Sequence, residues 1–358
     1  MRSDVLHNDA DALSFHPEIQ RAVTPHNLMG FTMSAIRLAL LSGAVAFAAP
    51  VAAQAQAGPE FSGSVSLSYS NTDIDPGFPY PDVDLNGTSL DLETDIMFAN
   101  GLGVGLDFGL FMGSLSRAGD PFEIEIDLIG LAIEPVYHFD NGAYAGVYYR
   151  MGDTDVSLSS IPGLNIGVDT VSYGIFAGYE TGPLWVEGFI GVSDSDPGLP
   201  GDIDIRDFGV AMSYDINSQF EVFGSVVRTS IDTPGPEVDL TGLSLGGEYD
   251  FGNGLSMYGS IGRMNIDVNA PVSFGATGMT LGVAYDLAQA GMGPMMLNAE
   301  YSRTSVDLDG LLPDWELNRW SIGVTIPLGG GSSDPLNSNT RAARGDYRSA
   351  IAALANSL

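Results

Sequence analysis

Long alternation between apolar and small polar residues is the feature that most constrains this chain. In residues 102–113 the even positions are Leu, Val, Phe or Met, and most odd positions are Gly or Asp. The same period of two recurs in 61–70 and 89–98. Because successive side chains of a strand point to opposite faces, this period predicts β-strands. The predicted strands run about 10–15 residues, which is longer than the five or six residues of an average soluble strand.

The composition of the polar face indicates which side of the strands faces outward. That face carries Ser, Gly, Thr, Asp and Glu, and all 13 basic residues of the chain are Arg. Exposed strands of soluble proteins usually carry Lys and mixed charge. In a membrane barrel the apolar face meets lipid, and small polar residues line the lumen. Because no apolar run of helix-spanning length follows residue 57, we predict an all-β fold, a transmembrane antiparallel up-and-down β-barrel.

Short turns alternate with longer connections along the chain, as they do in outer-membrane barrels. The tight turns fall at Asn100-Gly101, Asp140-Asn141-Gly142, Thr181-Gly182-Pro183, Ile216-Asn217-Ser218, Gly252-Asn253-Gly254 and Ala288 to Pro294. The longer stretches, rich in Pro, Gly and Asp, are 74–84, 118–122, 157–166, 195–202, 232–236, 268–272 and 309–314. Thirteen connections predict about 14 strands, with 12 or 16 as alternatives. An even number of strands places both chain ends of the barrel domain on the short-turn side.

The N-terminal region has the pattern of an export signal. Residues 38–53 are apolar, Arg37 precedes them, and Ala55-Gln56-Ala57 follows as a small-residue cleavage site. We therefore predict a signal peptide at 33–57 and export through the Sec pathway. The polar residues 1–32 fit poorly in front of such a signal and are expected to be a non-native extension.

The end of the last predicted strand carries a further motif. Residues 321–328 read Ser-Ile-Gly-Val-Thr-Ile-Pro-Leu. This is the spacing polar-x-Gly-x-x-apolar-x-aromatic, with Leu328 in place of the aromatic residue. With the signal peptide, the alternating strands and the aromatic residues beside the turns, the chain resembles the outer-membrane β-barrels of Gram-negative bacteria, specifically the porin-like ones. The resemblance covers about 60–328.

The resemblance implies a barrel domain at 58–330 in the cell outer membrane, surrounded by lipid. It also implies that the barrel-assembly machinery recognises the motif through Ser321, Gly323, Ile326 and Leu328. The chain departs from the family pattern because thirty residues follow the motif. Residues 331–358 are predicted to form a Gly/Ser linker and a short periplasmic tail, either helical or disordered.

A repeated phrase places several Arg residues at one height on the barrel. Arg228-Thr-Ser-Ile-Asp232, Arg263-Met-Asn-Ile-Asp267 and Arg303-Thr-Ser-Val-Asp307 each begin about nine or ten residues beyond a tight turn. Ten residues of a tilted strand climb about 25 Å, the height of the apolar band. Arg150, Arg228, Arg263 and Arg303 are therefore predicted at the external boundary, where guanidinium groups bind lipopolysaccharide phosphates. Alternatively, these Arg residues face the pore and neutralise acids there.

The acidic residues suggest the character of the interior. The chain has 45 Asp and Glu against 13 basic residues, a formal net charge of -32. Strand parity predicts that twelve acids line the pore: Asp91, Glu93, Asp95, Asp107, Glu123, Glu125, Asp127, Glu134, Glu187, Asp207, Glu248 and Glu300. An unpaired carboxylate in a dry interior costs several kcal/mol, and the barrel domain has too few Arg residues to pair with them all. We therefore expect an open, wet lumen that prefers cations.

Other chemistry is poorly supported. The chain has no Cys, and His138 is the single His after the signal peptide, so thiolate or Ser–His catalysis is not expected. No metal or cofactor motif is recognised, and a chain this acidic is not expected to bind nucleic acid. The predicted function is a porin-like channel for passive diffusion of small cations or hydrophilic solutes. The alternatives are a non-conducting structural or adhesive barrel and a secreted soluble all-β protein, and a homo-oligomer is possible.

Overall fold

The described part of the chain folds as a closed barrel. The computed structural model describes residues 59–117, 123–158, 165–196, 204–233, 237–268, 273–307, 313–329 and 335–357. The predicted extension and signal peptide lie outside these residues. The strands are β1 (Glu60–Asp75), β2 (Val83–Met97), β3 (Leu102–Ser116), β4 (Glu123–His138), β5 (Ala143–Leu158), β6 (Asn165–Thr181), β7 (Leu184–Asp196), β8 (Asp204–Asn217), β9 (Phe220–Asp232), β10 (Val238–Asp250), β11 (Leu255–Val268), β12 (Ser273–Asp286), β13 (Met296–Asp307) and β14 (Trp315–Gly329).

Every strand pairs antiparallel with its neighbours in sequence, and β14 pairs with β1 to close the ring. The closing register runs from Ser62 opposite Gly329 to Asp75 opposite Glu316. The predicted all-β up-and-down barrel and its count of 14 strands are therefore confirmed.

The short turns form where Asn-Gly pairs were recognised. Gly101, Gly142 and Gly254 have φ angles of 82°, 86° and 83°, the left-handed region that Gly enters without steric cost. The Asn before each Gly accepts a hydrogen bond at Oδ1 from the backbone N–H two residues later. These local bonds explain why the sequence alone located the turns. At the opposite end, 118–122 and most of 157–166, 195–202, 232–236, 268–272 and 309–314 lie outside the described residues.

The two faces of the wall have the orientation predicted for a membrane barrel. Large apolar side chains such as Trp320 (63% exposed) and Ile190 (60% exposed) point outward. Small polar side chains such as Ser66 and Thr325 are fully buried on the inner face, where their hydroxyl oxygens lie 2.6 Å apart. This distribution is the reverse of a soluble sandwich, in which the apolar face is the core.

The C-terminal segment 335–357 follows the last strand. It contains two short helices, α1 (Arg341–Arg344) and α2 (Ala350–Ser357). Gly345, with φ 90°, ends α1, and its N–H bonds to the carbonyl oxygens of Arg341 and Ala342. A described helix long and apolar enough to cross a membrane was not found.

This segment lies inside the barrel. Three hydrogen bonds join its backbone to hydroxyls of the inner wall: Leu336 N to Ser66 Oγ (3.3 Å), Ser225 Oγ to Ala342 O (2.5 Å) and Ala350 N to Thr229 Oγ1 (2.9 Å). The sequence predicted a periplasmic tail, and the structure instead places 335–350 in the lumen. The prediction failed because no local pattern in the tail reports a partner on distant strands.

The orientation of the wall can be tested with one outward side chain. Leu245 lies midway along β10 and is 59% exposed. Replacing it with Arg puts a charge at the level of the lipid core and should destabilise the folded barrel by about 2–4 kcal/mol. The measurement is urea-dependent unfolding in lipid vesicles, with Leu245→Met as the apolar control. An Arg variant as stable as the Met variant would contradict this orientation.

Candidate functional site in the barrel lumen

Most of the acids predicted to line the pore do lie on the inner wall. Strand register shows the placement, since Asp91 is opposite buried Ser66 and Glu93 is opposite buried Ser64. The structure places nine of the twelve on this face: Asp91, Glu93, Asp95, Asp107, Glu134, Glu187, Asp207, Glu248 and Glu300. They come from strands all around the barrel, so the negative charge encircles the lumen.

Three acids at the start of β4 lie on the outer face instead: Glu123, Glu125 and Asp127. They share parity with Leu131 and Ile133, which are 45% and 42% exposed. Glu134 on the same strand has the opposite parity, so the four could not share a face in a regular strand. The prediction that these three line the pore was wrong. The apolar positions of β4 at 131 and 133 set the orientation of the strand.

Glu221 is an inner-wall acid that the sequence analysis missed. It lies directly opposite Glu248 in the pairing of β9 with β10. Glu221 has the parity opposite to that of the apolar residues Val222 and Val226, so strand parity was a signal that could have found it.

Three Arg residues of the C-terminal segment bind these wall acids. Their contacts are Arg341 Nη2 to Glu93 (2.9 Å), Arg344 to Glu221 (2.8 Å) and Glu248 (2.5 Å), and Arg348 to Glu134 (3.0 Å) and Glu187. The five acids belong to β2, β4, β7, β9 and β10. The segment is thereby tied across the lumen to strands on several sides.

These ion pairs correct the expectation of a lumen filled only with water and counter-ions. That expectation counted only the Arg residues of the barrel domain as partners of the acids. It did not include Arg341, Arg344 and Arg348 of the C-terminal segment. Burial lowers the pKa of Arg348, but Glu134 and Glu187 raise it more, and the net pKa lies above the ordinary value. Arg348 therefore keeps its charge in the lumen, and removing one partner of such a buried pair typically costs about 3–5 kcal/mol.

The guanidinium of Arg348 is also enclosed by aromatic rings. Its central carbon lies 4.8 Å from the ring centre of Phe176, 5.4 Å from that of Phe189 and 5.7 Å from that of Tyr148. Arg344 lies in the same way over Phe223, at 4.2 Å. A cation over the face of an aromatic ring is attracted by the ring quadrupole.

Arg150 lies in the lumen and not at the outer boundary. Its Nη2 is 2.6 Å from Glu134 and 3.5 Å from Asp107, and its Nη1 donates to the backbone oxygen of Asp346 (3.1 Å). It shares its face with Tyr148, which is 2% exposed. The prediction was wrong because β5 carries aromatic residues on both faces, so that apolar character did not reveal the lipid side.

The other three predicted rim residues, Arg228, Arg263 and Arg303, point outward. Each bonds to a polar side chain on the same outer face: Arg228 to Asp239 (2.7 Å), Arg263 to Asn265 (3.0 Å) and Arg303 to Glu316 (2.6 Å). We call these three residues the outer Arg belt.

The motif on β14 lies where the barrel closes. Ser321 and Gly323 face inward, and Ile326 faces outward. A Cβ on Gly323 would lie 2.7 Å from Asn298 Oδ1 and 3.1 Å from the side chain of Asn337, so this Gly also makes room for the C-terminal segment. Leu328 pairs with Gly63 of β1. Recognition of this motif by assembly machinery stays a prediction.

The segment leaves part of the lumen unfilled. A cavity of about 230 Å³ lies beside it, and its lining includes Glu93, Asp95, Arg341 and Arg344. Within the described ranges, His, Asp and Glu side chains do not gather in a group of three that could hold a metal ion.

Part of the chain matches one protein-family model, and several solved structures are similar to the chain. Residues 137–290 match the model of a Gram-negative porin family. Similar solved structures include an anion-selective porin from Comamonas acidovorans (12% identity, 76% of this chain and 99% of that chain, TM-score 0.47). They also include the in-vitro folded outer-membrane protein OmpT of Vibrio cholerae (11%, 78% and 100%, 0.48) and a Pseudomonas aeruginosa FadL homologue (13%, 75% and 90%, 0.48).

A search of curated protein sequences found no match. The family match covers the strands from the end of β4 to β12, and the closed ring of fourteen strands supplies the architecture. Over residues 137–290 the chain is thus similar to a family of Gram-negative porins, and its fold is a closed barrel of fourteen strands.

Proposed function

We propose that the protein is an outer-membrane channel for passive diffusion of small hydrophilic solutes, with a preference for cations, and that its own C-terminal segment closes it. The observation that carries this proposal is the nature of the closure. The lumen is obstructed by a segment whose three Arg residues pair with carboxylates of an acidic wall.

The contacts of the segment are of a kind that water can replace. Hydrogen bonds and ion pairs attach it to the wall, and because water competes for both partners each contributes a net of only about 0.5–1.5 kcal/mol, or about 1.5–3 kcal/mol where a group is charged. The segment also buries apolar residues: Leu336 and Ala343 are buried, and Ala350 and Ala353 of α2 join an apolar cluster that includes Val227, Leu240 and Met264. Departure of the segment would therefore exchange polar contacts for contacts with water, and would also expose the apolar residues that it covers.

The preference for cations follows from the charge that remains on the wall. When the segment leaves, Arg341, Arg344 and Arg348 leave with it. The acids of the inner wall then greatly outnumber the inward-pointing Arg150 and Arg319. A pore lined by acid side chains concentrates cations and excludes anions.

A non-conducting structural barrel is the second candidate, and the occupied lumen favours it. It requires that the segment stays bound under all conditions. The two candidates differ in one measurable property, which is conductance. Neither candidate needs catalytic chemistry.

We predict that weakening the Arg contacts opens the channel. The full-length variant Arg341→Gln/Arg344→Gln/Arg348→Gln should raise the fraction of time spent conducting in planar bilayers by at least about tenfold. The reason is that the loss of a single charged hydrogen bond is already worth about 1.5–3 kcal/mol.

The matched control is Arg228→Gln/Arg263→Gln/Arg303→Gln, which removes the same charge from the outer Arg belt and should leave conductance unchanged. We call Arg341→Gln/Arg344→Gln/Arg348→Gln the lumen variant. If neither the wild type nor the lumen variant conducts, the result supports the non-conducting barrel.

We predict cation selectivity for the conducting state. In a salt gradient, the reversal potential of the lumen variant should have the sign expected for cation flow. It should be more strongly cation-selective than that of the wild type, because three positive charges have been removed from the lumen. An anion-selective reversal potential would overturn the cation preference.

The outer Arg belt supports a separate proposal about a partner. Three guanidinium groups at one level of the outer face suit the phosphates of lipopolysaccharide, because Arg binds phosphate through two parallel hydrogen bonds. Asp239 and Glu316 hold two of these groups in place.

We predict that Arg228→Gln/Arg263→Gln/Arg303→Gln weakens lipopolysaccharide binding by about tenfold or more, since each lost charged hydrogen bond is worth about 1.5–3 kcal/mol. The assay is the amount of labelled lipopolysaccharide retained by the detergent-purified barrel. The lumen variant described above has the same net charge and should bind normally. Equal loss in both variants would point to net charge rather than to the belt.

A further inference from the structure

The surroundings of Arg348 form a pocket that belongs to the wall and not to the segment. Glu134 comes from β4, Tyr148 from β5, Phe176 from β6, and Phe189 and Glu187 from β7. We call these five side chains the guanidinium pocket. Because all of them are carried by paired strands, the pocket persists when Arg348 leaves.

Neighbouring groups fix the two carboxylates. Tyr144 donates from its hydroxyl to Glu187 Oε2 (3.0 Å), and Arg150 donates from Nη2 to Glu134 Oε1 (2.6 Å). Each carboxylate therefore turns its other oxygen toward Arg348, which Glu134 meets at 3.0 Å. A binding site whose groups are already oriented loses little entropy when a ligand arrives.

Glycines of the neighbouring strands leave space for the rings. A Cβ on Gly174 would lie 2.7 Å from the ring of Tyr148, and a Cβ on Gly191 would overlap the hydroxyl of the same residue. Larger residues at these positions would displace Tyr148 from the pocket. The aromatic wall thus depends on small residues beside it.

The geometry selects a planar cation with two terminal N–H groups. One terminal nitrogen of Arg348 meets each carboxylate, and the carbon between them lies within 6 Å of three ring centres. The remaining nitrogen, Nε, is buried and makes no hydrogen bond to any described residue. The pocket therefore binds only the two terminal nitrogens and the central carbon of the guanidinium group. A compact ammonium ion could not span both carboxylates and stack on the rings.

We infer that the guanidinium pocket is a binding site for small solutes that carry a guanidinium group, and that Arg348 is a tethered occupant of it. Free solutes of this class compete with Arg348 for the same carboxylates. The inference deepens the proposed channel function and rests on it, since such solutes would be both the ligands that release the segment and the cations that the channel admits.

The test uses the full-length variant Arg348→Ala, which removes the tethered group and keeps the pocket. In planar bilayers this variant should conduct more than the wild type. Methylguanidinium should reduce its current at concentrations about tenfold lower than methylammonium, because the second cation lacks the fork and the stacking. The matched control is Arg228→Ala, which loses an Arg of the outer face and should show no such difference.

A second variant assigns the effect to the pocket. Arg348→Ala/Phe189→Ala removes one ring and should lose the preference for methylguanidinium. A second readout, independent of conduction, is the temperature of unfolding in detergent, which methylguanidinium should raise for Arg348→Ala more than methylammonium does.

Equal effects of the two cations on both readouts would overturn the inference. If Arg348→Ala conducts but responds equally to methylguanidinium and methylammonium, the inference about the pocket is wrong while the channel proposal stands. If no variant conducts but methylguanidinium selectively raises the unfolding temperature, the channel proposal fails while the pocket stands.

Discussion

The negative charge on the inner wall is the constraint on which the rest of this structure depends. A barrel in lipid must turn its apolar residues outward, so its polar residues are confined to a narrow enclosed space. Here that space holds carboxylates from strands around the whole ring. Carboxylates so enclosed need either water and counter-ions or a cationic partner. The C-terminal segment supplies the partner through Arg341, Arg344 and Arg348.

The form of the segment follows from that role. The wall offers carboxylates on several strands beside buried aromatic rings, and a guanidinium group can bind both. The segment places Arg residues toward different strands, and Gly345 ends the first of its two short helices with a left-handed backbone. Gly345 must also be small, because a Cβ there would collide with Ala211 of the wall. The segment therefore presents its Arg residues to carboxylates on several strands.

The features of the barrel that could be predicted from sequence are those encoded locally. The strands follow from alternation within about ten residues, and the turns follow from Asn-Gly pairs whose side chains bond to the next residues. The position of the tail could not be predicted in this way, since Arg341 lies 248 residues from Glu93 and Arg348 lies 214 residues from Glu134. The error at Arg150 has a different cause, which is that β5 offers aromatic residues to both lipid and lumen.

Closure of the lumen and selectivity for cations depend on the same carboxylates in this arrangement. The carboxylates that would attract cations into the lumen are the same groups that hold the Arg residues of the segment. A cation that binds these carboxylates better when the segment is absent must, by linkage, favour its departure by the same free energy. The strength of this coupling depends on how well the cation replaces a guanidinium. A simple ion meets only the charge, whereas a ligand of the guanidinium pocket also meets the rings, so a guanidinium solute should displace the segment more effectively than a simple ion of the same charge.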